Sequence, residues 1–248
     1  MALGFVGACV WYVVSHAEDF YFIVKVSRLE LILAAFFVLA GFSATCYQLD
    51  LFLRRFNLKL GKIELVAVTH AMMLGNFVIP MRGGSGALAV YLKKVHNLNF
   101  TAFAVIYGGT ALLVALINSF LALVALLSLF LMTGYFSLAL CVIVTSLFTC
   151  SLLLTFFPPK AGPGAGWLRV RIVQMVDSWR AISSDRRLLA TLTLSLSVLS
   201  LTLVMSLFFI YRSLGYPLSL EATIVTSSIG SIVNLVPLTP GSIGVFDV

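Results

Sequence analysis

The stretch from Gly75 to Gly86 reads GNFVIPMRGGSG and interrupts an otherwise apolar part of the chain. Its twelve positions hold an asparagine, a proline, an arginine and four glycines. Pro80 has no N–H to donate, and Gly83 and Gly84 allow backbone conformations that other residues avoid. The stretch therefore predicts a broken helix, with the break between Pro80 and Gly86.

A second stretch, residues 234–244, repeats this pattern near the other end of the chain and reads NLVPLTPGSIG. Each stretch has an asparagine at its first or second position, continues with a proline, and closes with small residues that include Gly-Ser and a last glycine. Two breaks in corresponding places predict an internal repeat. The residues assigned to the breaks are Asn76, Pro80, Gly83 and Gly86 in the first, and Asn234, Pro237, Pro240 and Gly244 in the second.

The composition places the protein in a lipid bilayer. Hydrophobic residues make up 61% of the 248 positions and charged residues only 10%, which is far from the composition of a soluble domain. The net charge of +7 does not indicate a nucleic-acid partner, because the basic residues lie in short loops between apolar runs, where they set membrane orientation. The four cysteines have no paired spacing that predicts a metal site, and no cofactor is expected.

The order of apolar runs predicts an all-α, polytopic integral membrane protein. A run of about 20 apolar residues crosses the hydrocarbon core, and several runs are long enough. The predicted segments are 29–53, 63–81, 87–95, 101–132, 135–157, an amphipathic helix over 167–187, 188–211 and 217–236. We interpret residues 1–248 as one membrane domain with a first half (1–157), an amphipathic linker (158–187) and a second half (188–248). Because the sequence stops four residues after Gly244, we expect further spans beyond it.

The positions of the basic residues predict how the segments are oriented. If residues 63–95 enter and leave the membrane on one side, thirteen of the sixteen lysines and arginines are cytoplasmic. A complete crossing by residues 63–81 would weaken this asymmetry, so we prefer two re-entrant broken helices. The second break then enters from the opposite face, which is the pattern of an inverted repeat.

Arg82 is the main candidate for binding a substrate. A half-helix that begins near Gly84 and Ser85 directs unpaired N–H groups and a partial positive charge at an anion. The guanidinium of Arg82 matches the oxygens of a phosphate. An arginine at mid-depth costs about 2.5–3.5 kcal/mol and needs a partner or a watery cavity. The alternative from the residues alone is that Arg82 extends to the interface and the glycines serve close packing.

The second break supplies the opposing wall of this predicted site. Thr239 and Ser242 offer hydroxyl donors, and Gly241 lies between them in a backbone held unwound by two prolines. The alternative is a simple proline kink without a site. The predicted substrate-binding set is Arg82, Gly84, Ser85, Thr239, Gly241 and Ser242.

No catalytic residues are predicted. The chain has no H-E-x-x-H, G-x-S-x-G or P-loop motif, and no span carries a pair of carboxylates at helical spacing. His70 is the one plausible base in an apolar segment, and catalysis also needs a nucleophile within reach. A membrane-embedded transferase that uses His70 is therefore a minor alternative.

The two stretches resemble those of the flippase-like family that includes the transmembrane region of lysylphosphatidylglycerol synthases. The resemblance rests on PMRGGSGALAVYLKK (80–94) and LVPLTPGSIGVFDV (235–248). Members are implicated in moving aminoacylated or glycosylated lipids between leaflets, and many act beside enzymes that make those lipids. The matching motif residues are Arg82, Gly84, Pro240, Gly241 and Gly244.

The resemblance implies a multi-pass protein of the bacterial cytoplasmic (inner) membrane that moves an anionic lipid, either aminoacylated or linked to a polyprenyl or sugar group. Its partners are then membrane lipids with anionic headgroups. The alternative is a non-catalytic membrane partner that anchors or regulates a lipid-modifying enzyme or a glycosyltransferase. Because the sequence has no soluble aminoacyl-transferase domain, lysyl transfer itself is not expected.

Overall fold

The computed structural model describes residues 7, 11, 12, 14, 15, 27–79, 82–134, 136–157, 167–216 and 218–234. Within 27–234 these residues form helices of 14 residues or more and no strand, which confirms the all-α prediction. The helices are α1 (Arg28–Arg55), α2 (Lys62–Val78), α3 (Gly83–His96), α4 (Phe100–Thr133), α5 (Leu138–Phe156), α6 (Trp167–Ser184), α7 (Arg186–Ser213) and α8 (Leu220–Val233).

Four of these helices, α1, α4, α5 and α7, are long and apolar enough to cross a membrane. α1 and α7 have 28 residues each, so each extends over about 42 Å, more than the hydrocarbon core of about 30 Å. The prediction of a polytopic helical membrane protein is confirmed. The shorter α2 and α3 reach about 25 Å and 21 Å.

The pair α1 and α7 defines the two ends of the bundle. Arg212, at the end of α7, lies 3.3 Å (Nε to Oε1) from Glu30, at the start of α1. At the other end, Arg55 donates a hydrogen bond to the carbonyl of Ala181 in α6. The two helices are therefore antiparallel. We call the end at which α1 finishes, with Arg54 and Arg55, the basic end.

Polar side chains join the long helices inside the bundle. Asn118 of α4 is 1% exposed, and its Nδ2 donates to Ser200 Oγ of α7 over 3.2 Å. Gln48 of α1 donates to Thr110 of α4 over 3.0 Å. Hydrocarbon offers these groups no alternative partner, so the bonds fix how the helices are rotated about their axes.

The apolar core lies toward the basic end. Six of its side chains are completely buried: Phe52, Leu53, Leu92, Leu113, Leu192 and Leu196. They come from the last turn of α1, the second half of α3, the middle of α4 and the first half of α7. This core anchors the hairpin of α2 and α3 to the long helices.

Helices α2 and α3 form an antiparallel hairpin. Glu64 at the start of α2 bonds to Tyr91 and His96 near the end of α3, while Asn76 bonds to Ser85 beside the turn. Only residues 56–61 join α1 to α2, so the open end of the hairpin lies at the basic end. This is the geometry expected of the re-entrant element; its position in a membrane and the inverted repeat stay predictions.

The break in the hairpin lies earlier than predicted. α2 ends at Val78 and α3 begins at Gly83, so Gly83, Gly84 and Gly86 belong to the first turn of α3 instead of the break. The left-handed backbone conformation is adopted by Arg82, with φ 53° and ψ 47°. Of these glycines, Gly84 packs closely against the backbone of α2, whereas a Cβ at Gly86 would meet no atom within 4 Å.

The amphipathic helix also ends earlier than predicted. α6 finishes at Ser184, and Oδ1 of Asp185 accepts a hydrogen bond from the N–H of Leu188, which caps the start of α7. The apolar face of α6 packs against the bundle, with Trp179 and Ile182 buried. Of the residues assigned to the breaks, Pro80, Pro237, Pro240 and Gly244 lie outside the described residues.

Candidate functional site

Arg82 is the residue immediately before α3, at the turn of the hairpin. Its Nη1 donates a hydrogen bond to the hydroxyl of Tyr107 over 2.5 Å. Its Nη2 donates to the backbone carbonyl of Asn234, the residue that follows α8. The side chain is half-buried. The guanidinium thus connects the hairpin, α4 and the end of α8.

This contact joins elements that start from opposite ends of the bundle. The hairpin extends from the basic end, whereas α8 follows the end of α7, where Arg212 pairs with Glu30. α8 then runs back for 14 residues and stops at Asn234. The two elements meet at Arg82, about two helical turns from the start of α4.

The two hydrogen-bond acceptors of Arg82 are uncharged groups. Within the described part of the chain, the ion pairs are those of Arg54, His96, Arg180 and Arg212, and none brings a carboxylate to Arg82. A guanidinium has five N–H donors, and two of its nitrogens contact a phenol and a carbonyl here. No carboxylate among the described residues therefore pairs with Arg82.

The first turn of α3 is engaged with α2. Ser85 is buried, and its N–H donates to Oδ1 of Asn76 over 2.9 Å, while Nδ2 of Asn76 lies 3.1 Å from Ser85 Oγ. Asn76 thus satisfies one of the N–H groups that a helix start leaves unpaired. The bonds of Asn76 to Ser85 therefore join the end of α2 to the first turn of α3.

Gly84 is the point at which the backbones of the hairpin touch. A Cβ atom at Gly84 would lie 2.0 Å from the carbonyl oxygen of Met72 and 2.6 Å from the nitrogen of Asn76. In this conformation Gly84 and Ser85 therefore face α2, while Arg82 faces α4 and α8. Phosphate binding by Gly84 and Ser85 stays a prediction that requires the first turn to reorient.

The opposing wall of the predicted site falls outside the described residues. This applies to Thr239, Gly241 and Ser242, so their part in the site stays a prediction. From the second stretch, the structure describes Asn234, which contributes a backbone carbonyl.

Two features of the hairpin and its surroundings were not predicted from the sequence. Tyr107 receives a hydrogen bond from Arg82, and the available signal was a tyrosine beside two glycines in an apolar span. At the basic end, outside the four spanning helices, Glu64 accepts hydrogen bonds from Tyr91 (2.6 Å) and His96 (2.5 Å). Tyr91 first, and then His96, lower the pKa of Glu64 below its usual value.

His70 makes local contacts. Its Nδ1 lies 2.7 Å from the carbonyl oxygen of Val66 in the same helix, and its ring centroid is 5.1 Å from that of Phe42. A hydrogen bond to the carbonyl four residues earlier orients the ring without activating a nucleophile. This geometry gives no support to the transferase alternative.

Fold and site define a polytopic helical membrane protein in which an arginine is held between a helical hairpin and the end of α8. The chain belongs to the family described as the lysylphosphatidylglycerol synthase TM region, whose model matches residues 1–248. No curated protein and no solved structure matches it. Membership confirms the resemblance and links the protein to lipid metabolism or transport in a membrane.

Proposed function

We propose that this protein moves an anionic lipid between the leaflets of the bacterial inner membrane and that Arg82 binds the phosphate of the lipid. The observation that carries the proposal is the position of Arg82, between elements that start from opposite ends of the bundle. A headgroup held there is within reach of both halves of the protein. The substrate is an aminoacylated lipid or one linked to a polyprenyl or sugar group, and no cofactor is required.

The energetics of a partly buried arginine support this assignment. Inserting an arginine at mid-depth costs about 2.5–3.5 kcal/mol on translocon scales. Bonds to Tyr107 and Asn234, and the Tyr107 ring 5.8 Å from Arg82 Cζ, satisfy part of the guanidinium but place no anion beside it. A phosphate accepts two parallel N–H bonds from one guanidinium and brings the negative charge that a phenol and a backbone carbonyl lack. Arg82 therefore gains more from a phosphate than from its present partners.

The same contact supplies a way for binding to change the structure. A phosphate that takes the Nη2 donor of Arg82 displaces the carbonyl of Asn234 and separates the hairpin from the end of α8. Broken elements that approach each other from opposite membrane faces are the architecture used for alternating access. We infer that lipid binding at Arg82 loosens this contact and opens the path between the halves.

A reconstituted transport assay tests the proposal. The full chain is placed in proteoliposomes that contain a fluorescent aminoacylated phosphatidylglycerol, and a membrane-impermeant quencher measures how fast the inner-leaflet lipid becomes accessible. Arg82→Ala should abolish protein-dependent movement, and Arg82→Lys should retain only part of it because an ammonium lacks the planar fork. Arg54→Ala is the matched control, since Arg54 is exposed and pairs with Asp50 in its own helix. Unchanged movement in Arg82→Ala would remove Arg82 from the mechanism.

The alternative function also has an observation in its favour. Two nitrogens of Arg82 already bond to protein atoms, as expected of an arginine that only stabilises the bundle. In that case the protein serves as a non-catalytic partner of a lipid-modifying enzyme or a glycosyltransferase. Co-purification of such an enzyme, together with no lipid movement by the isolated wild-type protein, favours this alternative over transport.

A further inference from the structure

A groove of about 300 Å³ lies between α4, α5 and α6. Its lining is entirely apolar and includes Ala104, Gly108 and Leu112 of α4, Leu154 of α5, and Met175 and Trp179 of α6. The indole Nε1 of Trp179 already donates to the carbonyl of Leu154 over 3.3 Å. The lining therefore offers no side-chain hydrogen bond to an occupant, which excludes a headgroup or a sugar.

The groove is formed by small residues on one side of α4. Ala104 and Gly108 are four residues apart and leave a depression, while Gly109 brings the helix close to the Trp179 ring. Gly108 is exposed and Leu154 is 37% exposed, so the groove opens on the outside of the bundle. Its outer side faces the lipid that surrounds α4 and α5.

The volume decides what kind of apolar occupant fits. A single helical turn, taken as a cylinder 10 Å wide and 5.4 Å high, fills about 420 Å³. The groove, at about 300 Å³, therefore cannot enclose a turn of a partner helix and would receive only some of its side chains. A flexible hydrocarbon chain fits this space and is supplied by every surrounding lipid.

The charge near the groove decides which lipid is favoured. Between residues 167 and 187, α6 and the start of α7 carry five arginines and two aspartates. Trp179 is followed directly by Arg180, and Arg55 of α1 bonds to the next residue, Ala181. The groove is thus close to the basic end of the bundle, where an anionic headgroup is attracted electrostatically.

We propose that the groove binds one acyl chain of an anionic phospholipid from the leaflet at the basic end. The site is separate from Arg82: Val105 and Gly109, which line the groove, each lie two residues from Tyr107, about 200° around the helix. The inference therefore depends neither on Arg82 nor on transport. It concerns a lipid held at the side of α4 that is remote from the hairpin contact.

Photolabelling in vesicles tests this site. The full chain is reconstituted with a small fraction of phosphatidylglycerol that carries a diazirine in the middle of one acyl chain, and labelled peptides are identified by mass spectrometry. We expect adducts to concentrate on the peptides that contain Leu112, Met175 and Val176. A phosphatidylcholine with the same labelled chain should give at least threefold fewer adducts there, because its headgroup has no net charge.

Gly108→Leu fills the groove and should reduce these adducts at least fivefold. A Cβ at Gly108 meets no atom within 4 Å, so the variant should fold with an unchanged melting temperature. Gly108→Ala fills less of the groove and should give an intermediate reduction. Ala139→Leu adds similar bulk at an exposed position of α5 outside the groove and should leave labelling unchanged.

Three results would overturn the inference. The first is an adduct yield in folded Gly108→Leu within twofold of that of the wild type. The second is labelling that is spread evenly over the exposed faces of the helices. The third is equal labelling by the phosphatidylglycerol and the phosphatidylcholine probes. Loss of lipid movement in Arg82→Ala with unchanged labelling of the groove would not contradict the groove site. The labelling and transport assays therefore test the two proposals separately.

Discussion

The contact between the two backbones of the hairpin gives a sharp prediction for Gly84→Ala. The added Cβ would lie 2.0 Å from the carbonyl oxygen of Met72, 2.6 Å from the nitrogen of Asn76 and 2.8 Å from the carbonyl carbon of Gly75. All three atoms belong to the backbone, so no side-chain rotation relieves the overlap. The helices α2 and α3 must separate at the turn.

The expected cost follows from the contacts that separation weakens. Overpacking of a tight interface costs about 1–3 kcal/mol. The bonds between Asn76 and Ser85 are next to this contact, and each contributes about 0.5–1.5 kcal/mol. We therefore expect Gly84→Ala to lower the free energy of unfolding by about 2–4 kcal/mol.

Gly86→Ala is a matched control two residues away. A Cβ at Gly86 meets no atom within 4 Å, and alanine is favoured over glycine in a helix by about 0.5–1 kcal/mol. The control should be unchanged or more stable, and the two variants should differ in melting temperature by about 5–10 °C. Thermal unfolding of the detergent-solubilised full chain, followed by tryptophan fluorescence, measures this difference. Equal melting temperatures would refute the close backbone contact.

Three further variants test single contacts. Asn76→Ala removes the acceptor for the N–H of Ser85 and should lower the free energy of unfolding by about 1 kcal/mol. Asn76→Asp keeps an acceptor oxygen and should retain most of this stability. Tyr107→Phe should lower the free energy of unfolding by about 1.5 kcal/mol. The variant should still move lipid because Arg82 remains, and loss of lipid movement would contradict this expectation. Hydrogen bonds lower the pKa of Glu64 in the folded protein below 4.5, so the ionised carboxylate stabilises the fold at neutral pH. This stabilisation is lost as the pH falls through the folded-state pKa. Glu64→Gln should therefore melt below the wild type at pH 7, with the difference disappearing on acidification.

The spanning helices were predictable because the bilayer leaves few alternatives. In hydrocarbon, the backbone N–H and C=O groups of an apolar run must hydrogen-bond to each other, which makes the run a helix. The length of the helix follows from the length of the apolar run. The prediction of residues 101–132 as one span accordingly differs by one residue at each end from the observed α4. The place of the first break was predictable to within a few residues, since proline and clustered glycines act on the local backbone.

The backbone conformation and packing of each residue at the break could not be predicted in this way. The turn is made by Arg82 in a left-handed conformation, and the glycines that follow it continue as helix. Local propensity favours glycine over arginine at positive φ. The observed arrangement instead places Gly84 where only a glycine lets α2 and α3 touch, and that requirement arises from packing between helices.

By itself the sequence determined the type and approximate bounds of the long helices that the structure describes, the basic end of the bundle, and the first break to within a few residues. Each depends on composition or on neighbouring residues. Only the tertiary structure decided the partners of Arg82, which lie 25 and 152 positions away, and the groove formed by three helices. These contacts depend on how helices cross and rotate against each other, and that is set by side-chain packing and by hydrogen bonds between residues distant in the chain.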